Sequence, residues 1–149
     1  MKSRVSIKRH PIHPMLIPFP VAFLTGALAA DLAGKLLDLP DLYTIAWYLL
    51  PAGVVMGVVA GIPGFIDYRR TVPPRSSARQ RAFRHMLFNL VALVLFLLAW
   101  WLRGEAGVTP DGVLVGIEVI AAGLLSVGGW MGGALVHRNQ IGVERRLSR

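Results

Sequence analysis

At 149 residues, 54% apolar content, a net charge of +8 and no cysteine, the chain has more hydrophobic surface than a soluble core of this size buries. The missing cysteine excludes disulfides, thiolate metal centres and thiol nucleophiles. The charge does not read as nucleic-acid binding, which wants cations interleaved with exposed aromatics on a folded face; fourteen of the sixteen Lys and Arg fall in three blocks, at 2–9, 69–84 and 138–149, and only Lys35 and Arg103 lie elsewhere.

Residues 1–9 form a charged arm with no apolar period, so no fold is expected there. His10-Pro-Ile-His-Pro is a stiff entry, because a residue before proline is pushed out of the helical region and proline suits a first helical turn. The first span is expected at about 14–37, with Pro18 and Pro20 in early turns where amide donors are spare. Its start also has the basic, apolar and small-residue order of a signal peptide, around Ala27-Leu28-Ala29. An uncleaved anchor fits better, since the apolar pattern continues through Leu32, Leu36 and Leu37. Asp31 and Lys35, four apart near the far end, are expected to pair as a solvated ion pair.

Asp38-Leu-Pro-Asp-Leu is a tight turn, and the second span is expected at about 43–66. It carries Trp47 and Tyr48 as an aromatic belt, with Gly53, Gly57, Gly61 and Gly64 on one stripe that favours close helix packing in lipid. Pro63 is expected to break this helix one turn before Asp67. A loop with six arginines follows (Arg69, Arg70, Arg75, Arg79, Arg81, Arg84). The third span, about 85–103, begins at His85 and ends in Trp100-Trp101 as an interfacial anchor. The fourth, about 112–137, contains Glu118 at a depth where a bare carboxylate is costly, so a partner or a neutral form is expected. Gly123, Gly128, Gly129, Gly132 and Gly133 repeat the close-packing theme.

Uncharged runs at 43–66, 86–102 and 119–136, with a fourth at 15–30, reach or approach the roughly 20 residues that span hydrocarbon. The fold class is therefore an all-α, integral membrane four-helix bundle, read as one domain over 1–149. The three cationic blocks share one side of such a bundle, which by the positive-inside rule is the cytoplasmic side. Both termini then lie in the cytoplasm of a bacterial cell whose inner membrane the chain crosses four times, with anionic headgroups as neighbours.

That topology alone brings His10, His13, Asp67, His85 and His137 into one layer, and no histidine falls in the other. Neutral imidazoles are common metal ligands, and two from different helices can hold a haem iron from both sides. His13, His85 and His137 are the candidate cofactor ligands, with His10, Asp67 and Asn89 around them. Asp67 could orient an imidazole through its second nitrogen, and Asn89 shares a helix face with His85. For a divalent metal the set is His13, Asp67, His85 and His137; for haem b it is a pair of imidazoles. Three readings stay open: a bound cofactor, hydrogen bonding to helix ends and headgroups, and proton or ion transport. No His-Glu-x-x-His, catalytic serine motif or phosphate loop is present, so no independent catalytic activity is expected. A reading of another class is a structural or interaction module that packs on itself or a partner through its glycine faces.

The stretches His10-Pro-Ile-His-Pro-Met-Leu-Ile-Pro-Phe-Pro20, Gly64-Phe-Ile-Asp67, the Ala-Arg-Gln-Arg run to His85 and Asn89, and Gly129-Trp-Met-Gly-Gly133 through His137-Arg138 resemble bacterial membrane proteins of domain-of-unknown-function family 2231. The resemblance spans 10–143 and is most specific in its first block. It implies four spans and, because some relatives are fused to or neighbour Rieske-type iron–sulfur domains, an electron-transfer setting with a redox partner. This chain departs from the family near its end, with Ala134, His137 and Asn139 where relatives often have glutamate, tyrosine and histidine. A two-residue shift turns a helical side chain by about 200°.

Overall fold

A computed structural model describes residues 3–142, so Arg145, Arg146 and Arg149 of the last cationic block lie outside the described residues. Its elements in chain order are β1 (Ser6–Ile7), β2 (His10–Pro11), α1 (Ile12–Leu16), α2 (Pro18–Leu37), α3 (Asp41–Arg70), α4 (Ser77–Arg103) and α5 (Gly112–His137). Four segments are long and apolar enough to cross a membrane: Ile12–Leu37, Asp41–Arg70, Ser77–Arg103 and Gly112–His137. The all-helical four-span bundle follows from the uncharged runs.

The arm is not featureless. Lys8 and Arg9 take φ of +48° and +71°, the paired left-handed values of a tight hairpin turn, and β1 pairs with β2 antiparallel. Neither residue type announces such a turn. The arm is then tied down by Asp67, whose carboxylate accepts from the Arg4 amide at 2.8 Å, from Ser3 Oγ and from Thr71 Oγ1 at 3.1 Å.

Two proline expectations are corrected. The first span starts at Ile12, before Pro14, and its regular bonding lapses only at Ile17, which keeps helical φ and ψ of −53° and −39°. Pro18 and Pro20 have no amide hydrogen to give to the preceding turn, which accounts for the lapse. Likewise, α3 runs unbroken through Pro51 and Pro63 to Arg70. Proline is tolerated inside membrane helices that pack against neighbours, and Pro63 is buried in the bundle.

α2 packs along α3 and α4 along α5, as two antiparallel pairs joined by thinner α3–α4 and α2–α5 seams. The core where they meet is Leu24, Ala27, Ala46, Leu50, Val54, Phe96 and Ala121. The buried positions of one pair recur in the other at a constant offset: Pro20, Leu24, Ala27 and Asp31 in α2 against Ala92, Phe96, Ala99 and Arg103 in α4. In α3, Ala46, Leu50, Gly53 and Ala60 match Leu114, Glu118, Ala121 and Gly128 in α5. The bundle is an approximate two-fold repeat of one helical hairpin, and residue identity largely hides it, because along the core the repeat preserves burial more than side-chain type.

The glycines of α3 keep to one side of the continuous helix, as their spacing of four, four and three requires, but they do not meet one neighbour. A Cβ on Gly53 would meet Leu24 Cγ at 2.6 Å and its backbone N at 3.2 Å, one on Gly57 would meet Leu93, one on Gly64 would meet His13, and Gly61 has nothing within 4 Å. They seat single side chains on three different neighbours. Gly53→Ala is expected to lower stability in detergent by about 1–3 kcal/mol through overpacking. Gly61→Ala, exposed and unobstructed, is expected to raise it by about 0.5–1 kcal/mol through helix propensity. Denaturant melts of the two variants against the parent check the pair.

Candidate functional site

At the arginine-rich end, one histidine from each hairpin docks on the return helix of its own hairpin. His13 Nδ1–H donates to the Ala60 carbonyl of α3 at 2.7 Å, and His85 Nδ1–H donates to the Gly128 carbonyl of α5 at 2.7 Å. A carbonyl can only accept, so each Nδ1 carries the proton, and in the neutral ring Nε2 keeps its lone pair.

Both seats are built the same way. In a helix the Cβ of residue i+4 leans back toward the N-terminus over the carbonyl of residue i, so a ring reaches that carbonyl only where i+4 has no Cβ. Gly64 stands four after Ala60, and Gly132 four after Gly128. A Cβ on Gly64 would come within 2.8 Å of His13 Nδ1, and one on Gly132 within 2.9 Å of His85 Cε1. These glycines, read from sequence as packing residues, are the floors of the two histidine seats. The signal that could have shown it is a glycine four residues after a candidate acceptor, opposite a histidine on the preceding span.

The two seated rings meet across the seam between hairpins, with centroids 6.1 Å apart and planes at 83°. Asn89, one turn beyond His85, donates from Nδ2 to the His85 carbonyl at 2.7 Å and lies over Gly128, where a Cβ would be 2.6 Å from it. It braces the backbone that carries the ring.

The remaining sequence candidates are not gathered with this pair. Asp67 spends its oxygens on Ser3 and Arg4 of the arm and on Thr71 at the end of its own helix, instead of on an imidazole. His10 is exposed in β2 and donates from Nδ1 to the Lys8 carbonyl at 3.1 Å. His137 is exposed in the last turn of α5. Among the described residues no group of three or more His, Cys, Asp or Glu is placed to hold a metal ion. Nor are all six loop arginines simply solvated: Arg79 stacks on Tyr68 at 3.7 Å and donates to the Tyr68 carbonyl, while Arg81 donates to Asn139 Oδ1.

Sequence reasoning also missed a polar cluster at the opposite end. Asp31 does not form a solvated pair with Lys35. It is fully buried and bonds Arg103, which also reaches Glu118 at 3.5 Å, all three side chains being inaccessible. The nearby aromatic belt divides: Tyr48 and Trp101 are exposed, while Trp47 packs against Trp100 at 5.6 Å.

A family model described as "Predicted membrane protein (DUF2231)" matches residues 9–145. No curated protein and no solved structure matches the chain.

The seat geometry predicts a difference between adjacent glycines of α5. Gly132→Ala is expected to displace His85 from the Gly128 carbonyl and remove one Nδ1–H imidazole signal from the nitrogen NMR spectrum of histidine-labelled protein. Gly133→Ala, with open space around it, leaves that spectrum unchanged.

Proposed function

The chain belongs to the DUF2231 family of predicted membrane proteins, and we propose that within it this bundle is a redox module that holds a b-type haem between His13 and His85. The observation that carries the reading is the facing pair of imidazoles, each fixed by its Nδ1–H on a helix carbonyl. Such an outer hydrogen bond fixes the tautomer and the ring plane of a ligating histidine and raises its basicity.

The number of donors supports haem over a closed metal site. A closed zinc site asks for four protein ligands, whereas haem asks for two axial ones, and two is what the hairpins bring together. When bound, haem supplies one-electron transfer at a potential set by its axial ligands and surroundings. His13 and His85 would bind it; Gly64 and Gly132 keep the rings on their carbonyls, and Asn89 steadies His85. The reading takes the arginine-rich end as the cytoplasmic face of a bacterial inner membrane, with anionic headgroups around it and a Rieske-type or other redox protein exchanging electrons.

The test is an absorption spectrum, with metal analysis, of protein purified from its native membrane. The expected result is a sharp visible band that shifts on reduction, lost in both His13→Ala and His85→Ala and kept in His137→Ala. A colourless, iron-free native preparation overturns the proposal.

A second reading, a packing module without cofactor, draws on Gly129 and Gly133, which lie four apart on an exposed face of α5 with no atom within 4 Å of a built Cβ. Small residues at that spacing let two membrane helices approach closely. On this reading the parent runs as a homo-oligomer in mild detergent, and Gly129→Leu with Gly133→Leu converts it to monomer by light scattering; a monomeric parent defeats it.

A further inference from the structure

The opposite end of the bundle buries a charge imbalance. Asp31 from α2 and Glu118 from α5 are fully inaccessible, and so is the side chain of Arg103 from α4. Two carboxylates and one guanidinium leave one uncompensated negative charge, and a buried charge without a partner is strongly unfavourable in a protein interior and more so within a bilayer. The hydrogen bonds tell the same story. Arg103 Nη2 serves Asp31 Oδ2 and Glu118 Oε1, while Asp31 Oδ1 and Glu118 Oε2 have no donor. Arg103 Nε and Nη1 are likewise without acceptors, so the guanidinium's remaining hydrogens do not reach these two oxygens, and it is the charge balance that asks for one more hydrogen at the site.

Among the described residues no other charged side chain is buried to balance this charge. Lys35 on α2, Asp38, Asp41, Glu105 and Asp111 are exposed, and the buried Tyr43 of α3 lies against Gly34, where a Cβ would meet its ring at 2.6 Å. α3 places Leu50 where α5 places Glu118, so it brings no charge to this level.

We propose that Asp31 and Glu118 form a proton-binding site: one proton is held between Asp31 Oδ1 and Glu118 Oε2 as an acid–carboxylate pair, and Arg103 balances the remaining charge. The proton satisfies both orphan oxygens and brings the cluster to neutrality. The proton, not a metal cation, is the ligand of choice, because Asp31 Oδ1 and Glu118 Oε2 are the two open oxygens and a metal ion asks for several more.

Infrared difference spectroscopy of the full chain in lipid nanodiscs, in ordinary and heavy water, tests this. The expected result is one protonated-carboxyl C=O band at neutral pH, shifted in heavy water, absent in Glu118→Gln and absent in Asp31→Asn, where the remaining acid pairs with Arg103 as a carboxylate. Arg103→Gln, by removing the compensating cation, is expected to double the band. Should that variant not fold, the two single-acid variants decide alone. Absence of the band in the parent, or its persistence in both single-acid variants, overturns the proposal. So does a parent that lacks the band but gains thermal stability specifically in sodium, which would make the ligand a metal cation.

Discussion

The bundle depends on one constraint of the bilayer: a polar group carried into hydrocarbon must find its partner inside the protein. Two kinds of solution appear, one at each end. At the arginine-rich end an imidazole N–H is taken up by a helix carbonyl, and at the other a guanidinium is taken up by carboxylates. Between them the core is apolar and small, with Ala27, Ala46, Ala99 and Ala121 fully buried beside Leu24, Leu50 and Phe96. Packing of this kind brings helices close but says little about register. The polar groups at the ends can hold the helices in one alignment, because sliding a helix by a turn would strip a histidine of its carbonyl and Arg103 of its acids at once.

What was legible in the sequence followed from quantities that need no partner. Run length gave four spans, and the shared layer of His13 and His85 follows from topology. What was not legible depended on residues far apart in the chain. Asp31 looked paired with Lys35 because the helical neighbour is the only one a local rule can see, whereas Arg103 belongs to another span. Pro63 looked like a stop because a lone helix would lose its bond there, whereas in the bundle it is buried and the helix is held by its neighbours. Lys8 and Arg9 gave no turn signal, since neither is a residue type that favours left-handed φ. The glycines were recognised as small, but their work is to admit a ring to a carbonyl, and that is visible only once the opposing helix is in place.

The two-fold repeat explains why the chemistry lies where it does. Positions near the axis between two related hairpins meet their own counterparts, so whatever one half carries there is brought against what the other half carries. At the seated layer the halves have kept the same residue, and His13 faces His85. At the far end they have diverged into complementary residues, and Asp31 faces Arg103. Two identical hairpins would have set Asp against Asp or Arg against Arg in a buried place, an arrangement that like-charge repulsion and desolvation both oppose. One chain with two unequal hairpins escapes this, because each half can take a different sign.

Glu118 then stands out as the residue the symmetry does not explain. Its counterpart is Leu50, fully buried and apolar, and the Asp31–Arg103 pair is already neutral without it. A second carboxylate adds desolvation cost to a pair that has no need of further charge. A buried ionisable group in a membrane span that goes beyond what pairing requires is most economically read as there for what it binds. The histidine pair carries the same logic in milder form: one imidazole per hairpin suffices to fasten each return helix, yet the two rings also meet each other, with centroids 6.1 Å apart. At each end of the bundle, the polar group that packing leaves unaccounted for lies on the boundary between the hairpins, where a small movement of one against the other would change its surroundings most.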